Sequence, residues 1–195
     1  MFESPATLTG VGTREDLLAG AKQCLAERGL ARTTVRDIVA ASGTNLAAIN
    51  YHFGSRDQLL NQAMLESSGE AVSRILESLP EDTGLDAAER LNTFWHKLLD
   101  SFAQDRALWT ANAESISQAL HSPELGTEIG AAQQRAREGL SESLGHNDPR
   151  IGAVLQTLIG GLLIQALIDP ARTPSPDQLS GGLRALADLI GTHQA

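Results

Sequence analysis

The sequence predicts an all-helical protein of about nine helices, with an N-terminal three-helix unit containing a helix-turn-helix and a larger helical unit after it. Three observations carry this expectation. Apolar residues recur at helical spacing along most of the chain, no segment alternates apolar and polar residues as a half-buried strand would, and glycine, proline and capping side chains punctuate the periodic runs. The 195 residues suffice for one large domain or two small ones, and no internal repeat divides them further.

Taken in order, Thr13 is the expected cap of a first helix carrying Leu17, Leu18, Ala21, Cys24 and Leu25, and Gly29 stands where a left-handed terminal residue belongs. Thr33 or Thr34 caps a short second helix with Val35, Ile38 and Val39, which stops at Ser42-Gly43. Asn45 caps a short third helix in which Leu46, Ile49 and Phe53 share one face, while Ala47, Ala48, Tyr51 and His52 point the other way. Ser55 caps a longer fourth helix through Leu59, Leu60, Met64, Val72, Ile75, Leu76 and Leu79, ended by Pro80 and the polar Glu81 to Gly84 connection. A fifth helix (about 86 to 104) and a sixth (about 106 to 120) follow, then a more polar seventh (about 124 to 144) before the turn Gly145 to Pro149. Helix eight carries Ile151, Val154, Leu155, Leu158, Ile159, Leu162 and Leu163; Pro170 to Pro176 breaks it, and helix nine presents Leu179, Leu183, Leu186 and Ile190. The expected domains are residues 13–54 and 55–195.

Fifteen basic against 24 acidic side chains give a net charge of -9, which argues against nucleic acid as a partner of the chain taken whole. The sum hides an asymmetry. Residues 1–60 hold six basic side chains (Arg14, Lys22, Arg28, Arg32, Arg36, Arg56) and six acidic ones (Glu3, Glu15, Asp16, Glu27, Asp37, Asp57), so the entire excess of negative charge lies in the remainder. The single cysteine, Cys24, excludes an intramolecular disulfide and suits a reducing cytoplasm. Met1 to Pro5 lack the basic start of a signal peptide, and the longest apolar stretch, Ile151 to Ile168, is interrupted by Gln156, Thr157 and Gln165, so neither secretion nor membrane insertion is expected.

Residues 34–53 satisfy the three needs of a helix-turn-helix: a bracing helix, a glycine turn, and a second helix with a small outer face that can enter a major groove. Alanine methyls at 47 and 48 can meet thymine methyls, the Asn50 amide can read adenine, and Arg36 can read guanine in bidentate fashion. Thr34, Tyr51, His52 and Arg56 are candidate phosphate contacts, and Asn45 and Leu46 complete the candidate surface. A helical corner with an incidental glycine turn is the plain alternative.

The run Thr33-Thr34-Val35-Arg36-Asp37-Ile38, Gly43, and the run Asn50-Tyr51-His52-Phe53-Gly54-Ser55-Arg56-Asp57-Gln58-Leu59 resemble the N-terminal domain of TetR-type transcriptional regulators. The match covers about residues 13–65. Val39, Thr44 and Arg56 depart from the pattern, where a small residue, an apolar residue and lysine are common. The resemblance implies a cytoplasmic homodimer that binds pseudo-palindromic double-stranded DNA, acts as a repressor, and releases its operator when a small molecule enters the C-terminal domain. In that mechanism an effector in a cavity among helices four to seven tilts helix four and separates the two recognition helices.

Phe94, Trp95, Phe102 and Trp109 are four of the chain's seven aromatic residues. Such a stripe is either plain core or the wall of a ligand pocket. The resemblance favours a pocket for an apolar effector, with Leu98 and Ile116 beside the aromatics and Asn112 either a ligand contact or a satisfied core amide. Helices eight and nine are apolar enough to form a dimer interface, for which Leu155, Leu158, Leu162, Gln165, Leu179, Leu183, Leu186 and Ile190 are the candidates; otherwise they cap their own domain. Five scattered histidines (52, 96, 121, 146 and 193) show no metal-ligand spacing, and neither a partnered nucleophile nor a phosphate loop is found. No enzyme, cofactor or metal is expected. The competing reading is a helical small-molecule-binding protein or enzyme that does not use its N-terminal motif.

Overall fold

The computed structural model describes residues 10–79, 87–143 and 148–191, and all regular structure among them is helical. Met1 to Pro5, the breaks expected at Pro80 to Gly84 and at Gly145 to Asn147, and His193 lie outside the described residues. The chain divides into two compact units between Ser68 and Gly69, a boundary that falls within the fourth helix.

The first unit comprises α1 (Gly10–Arg28), α2 (Val35–Ser42), α3 (Leu46–Phe53) and the first turns of α4 (Arg56–Glu77). Its core consists of Leu17, Ala21, Ile38, Ile49, Leu59, Leu60, Ala63 and Met64, all fully buried. Burying a side chain of this kind contributes about 1.5 to 3 kcal/mol for each large aliphatic residue. α1 begins one turn ahead of Thr13, which therefore lies inside the helix and does not cap it. α1 and α2 approach so closely that a Cβ on Gly20 would sit 2.9 Å from both Cβ and the backbone N of Ser42.

The second unit contains α5 (Ala87–Gln104), α6 (Arg106–Ala119), α7 (Pro123–Ser143), α8 (Pro149–Ile168) and α9 (Pro176–Gly191), together with the last turns of α4. Its core is built on Phe94, Trp95, Leu98, Phe102 and Trp109, packed with Leu140, Leu155, Leu162 and Leu163. Edge-to-face contacts pair Phe94 with Trp95 and Phe102 with Trp109, at centroid separations of 5.1 and 4.8 Å. At the start of α6, Arg106 donates to the carbonyls of Ala166 and Leu167, satisfying groups that the end of α8 leaves free.

The expectation for the apolar stripes of the last helices changes in part. Leu155 and Leu162 are buried in the protomer's own core, and Leu158, Leu179 and Leu183 pack against that core from its edge, so these five face inward. α9 lies on α5, where Asn92 donates to Asp177 and accepts from Ser180. Gln165 is exposed, although seven residues on from Leu158 it shares that residue's helical phase. The outward apolar residues are Val154, Ile164 and Ile168 on α8, and Leu186, Leu189 and Ile190 on α9. By length and composition α8 alone among the described helices is apolar enough to cross a membrane; one face of it belongs to the core just described.

Candidate nucleic-acid interface and regulatory cleft

Local side-chain chemistry fixes both helices of the helix-turn-helix. Thr34 is the cap of α2: its hydroxyl accepts from Asp37 N and donates to the Asp37 carboxylate at 2.7 Å, while Thr34 N donates to the same carboxylate at 2.8 Å. The hydroxyl bond from Thr34, joined by its backbone N–H and by the Arg28 guanidinium 2.9 Å away, holds the Asp37 carboxyl below its ordinary pKa. Thr33 is instead buried, its hydroxyl donating to the carbonyls of Gly29 and Cys24. Gly43 turns the chain at φ 65°, a conformation that costs a side chain strain and glycine none. Asn45 then caps α3 by accepting from Ala48 N at 3.0 Å.

These bonds redistribute the predicted contacts. The Thr34 hydroxyl and the Asn45 side-chain oxygen are committed to caps. On α3, Leu46, Ala47, Asn50 and Tyr51 are exposed, Ala48 and His52 are half-buried, and Ile49 and Phe53 are inside. Leu46, expected on the inner face, is 53% exposed, because the first turn of α3 is uncovered although its helical phase matches Ile49 and Phe53. Tyr51 is 84% exposed, its ring edge-to-face with His52 at 4.9 Å. Arg36 is exposed on α2. Arg14 lies over the Phe53 ring at 5.1 Å and anchors α1 to α3 without having been expected to do so. Arg56 differs from the rest: Nε and Nη2 donate to the carbonyls of Thr33 and Leu30, and Nη1 pairs with Asp57.

In the second unit the expected ligand contacts Phe94, Trp95, Leu98, Phe102 and Trp109 are buried, and Asn112 and Ile116 are half-buried. The buried Trp95 indole N–H has no hydrogen-bond acceptor, an arrangement that costs about 1 to 3 kcal/mol. A cleft of 420 Å³ opens elsewhere, between the end of α4, α5 and the start of α6. Ala71, Ile75 and Leu108 give it an apolar floor, while Arg74, Lys97, Asp100 and Asp105 bring charges of both signs, and none of the seven expected contacts lines it. The Lys97 ammonium is drawn to the Ser78 hydroxyl and carbonyl, and Ser101, also on the wall, accepts from the Trp109 indole at 3.1 Å. Sequence reasoning missed these residues because they belong to three helices and share no local pattern. No cluster of metal-ligand side chains occurs among the described residues.

Two family models match this chain: the bacterial regulatory proteins of the tetR family over residues 17–63, and the BetI-type transcriptional repressor C-terminal domain over residues 87–191. The repressor AcnR of Corynebacterium efficiens is 35% identical over 72 residues, 37% of this chain and 36% of that protein. The chain thus spans about a third of the length of several curated relatives it matches. The regulator BetI of Stenotrophomonas maltophilia is 28% identical over 160 residues, 78% of this chain and 80% of that one. A crystal structure from Streptomyces coelicolor A3(2), described as that of the transcriptional regulator SCO7518, superposes with a TM-score of 0.63 at 28% identity, covering 90% of this chain and 96% of the other. With the helix-turn-helix and the C-terminal helical unit each matched by its own family model, the chain belongs to the TetR family of bacterial transcriptional regulators.

Proposed function

We propose that the protein is a cytoplasmic, homodimeric repressor that holds a pseudo-palindromic operator through α3 of each protomer and lets it go when a small molecule occupies the regulatory unit. The observation that carries the reading is the outer surface of α3: Leu46, Ala47, Asn50 and Tyr51 project from a helix whose opposite side is buried and whose start is capped. A rigid helix with small and hydrogen-bonding side chains outward suits a major groove. Selection of duplexes from a random pool, followed by fluorescence anisotropy, tests it. Arg36→Ala is expected to cost about 1 to 3 kcal/mol and to relax preference at one base pair. Tyr51→Ala is expected to weaken selected and scrambled duplexes alike. Unchanged affinity in the double variant removes the α2–α3 surface from the interface.

The effector site we place in the α4–α5–α6 cleft, whose 420 Å³ falls in the range of small-molecule sites. A ligand there sets a hydrocarbon body on Ala71, Ile75 and Leu108 and a polar group against the charged rim, which gives the largely apolar effector expected a polar end. Because α4 is continuous from Arg56 to Glu77, a ligand pressing on its last turns acts on the helix that follows α3 directly. Thermal-shift screening of metabolites should yield ligands that stabilise the protein by about 2.7 kcal/mol at a hundredfold excess over Kd. Such ligands should change Trp109 emission through Ser101 and lower operator affinity. Gln104→Trp, which fills the cleft from its exposed edge, should abolish both responses and retain operator binding; hits that persist in this variant place the site elsewhere.

A further inference from the structure

We infer that Arg56 is a positioning residue that sets the angle of the recognition helix, and not a phosphate contact; the inference deepens the DNA-binding reading and rests on it. Arg56 follows α3 by only two residues, and Leu30 and Thr33 immediately precede α2. Its Nε donates to Thr33 O at 2.8 Å and its Nη2 to Leu30 O at 3.1 Å and again to Thr33 O. The chain entering the helix-turn-helix is thereby bonded to the chain leaving it, and everything between, including α2, the Gly43 turn and α3, lies inside one closed loop. Thr33 extends the clamp to the end of α1 through its hydroxyl bonds to Gly29 and Cys24.

The arrangement leaves little for DNA. A guanidinium has five N–H hydrogens in a fixed fork. Those on Nε and Nη2 point at carbonyls, Nη1 is bonded to the Asp57 carboxylate, and only 31% of the side chain is exposed. Asp57 is 76% exposed beside it, so the pair presents a neutralised and partly anionic surface where a free cation would be needed. Lysine has a point charge with no planar fork and cannot reproduce bonds to two carbonyls along two edges of one group. That is a physical reason for arginine at this position in this chain.

The test compares Arg56→Lys and Arg56→Gln in the full-length protein, measuring binding to selected and scrambled duplexes over a series of salt concentrations, with amide hydrogen exchange on the free protein. Both variants should lose about tenfold in the ratio of selected to scrambled affinity with the salt slope unchanged, because α3 is tilted and no phosphate contact is lost. Protection of the first turn of α2, where Ile38 N donates to Thr34 O, should fall about tenfold in both, with the Leu17 to Ala21 core of α1 unaffected. A wild-type-like Arg56→Lys together with an Arg56→Gln whose salt slope drops by about one would instead make Arg56 a phosphate contact. Unaltered exchange in α2 would overturn the clamp even if the unmodified protein showed no duplex preference, an outcome that would by itself remove only the DNA-binding reading.

Discussion

Glutamate at both Leu186 and Ile190 will leave a folded monomer that no longer holds its operator. The two side chains are 55% and 66% exposed on α9, with Leu189 at 62% beside them, and on α8 Ile168 is 79% exposed. Leaving such side chains in water forgoes about 1.5 to 3 kcal/mol for each one that a partner would bury. A second copy of the chain is the partner that the TetR reading supplies, and a Cβ added to Gly160 or Gly161 of α8 meets nothing within 4 Å, so another helix has room to approach. Carboxylates in the middle of such a surface are desolvated without a counter-charge and split the dimer. Since Leu186 and Ile190 lie outside the protomer's core, the fold survives, whereas glutamate at Leu155 or Leu162 would destroy it. Operator affinity should fall by about 100- to 10,000-fold, the gain lost when two linked half-site contacts become one. Sedimentation velocity and anisotropy on the same samples decide the matter. A variant that remains dimeric places the interface on another surface, and a monomer that keeps full affinity dissociates assembly from DNA binding.

What could be read from the sequence follows the range of the interactions. The cap of α2, the Asn45 cap, the Gly43 turn and the burial of Ile49 and Phe53 are governed by neighbours within about one helical turn, and the sequence shows them, leaving open only whether Thr33 or Thr34 is the cap. Leu46 has the right phase for burial but lacks anything to cover it, which periodicity cannot register. Arg56 reads as a phosphate contact in the sequence because its acceptors lie 23 and 26 residues away, and nothing in the local pattern points to backbone carbonyls as partners. Helix eight is apolar on several sides, so the sequence identifies its character without telling Leu155 and Leu162, which face the core, from Val154 and Ile164, which face outward. In the same way, the aromatic stripe on helices five and six is visible from spacing. That its members pack on one another, while a charged cleft opens on the other side of Ser101, depends on tertiary packing.

Among the described glycines of the second unit, Gly152 should be the one at which alanine destabilises most. Gly152 is buried in α8 where that helix crosses α7, and a Cβ built there overlaps the Arg137 carbonyl oxygen and lies 2.8 Å from its carbonyl carbon. The obstacle is backbone within a helix of 21 residues, so no side-chain rotation relieves it, and α7 and α8 must separate. Their separation is resisted where the Ser141 hydroxyl donates to Asp148 O at 2.8 Å, and by Leu140 and Leu155, both buried in the shared core. A loss of about 3 kcal/mol is expected, the upper end for inserting a methylene into a filled core, offset in part by the higher helix propensity of alanine. Calorimetry should show Tm lowered by about 6 to 12 °C. Gly130→Ala on α7 is the control: its Cβ meets nothing within 4 Å, and helix propensity alone should raise stability by up to about 1 kcal/mol. Equal effects of the two substitutions would mean that α7 and α8 do not touch backbone to backbone at Gly152. Opposite signs establish the contact that holds α8 in place and fixes which of its faces remains free.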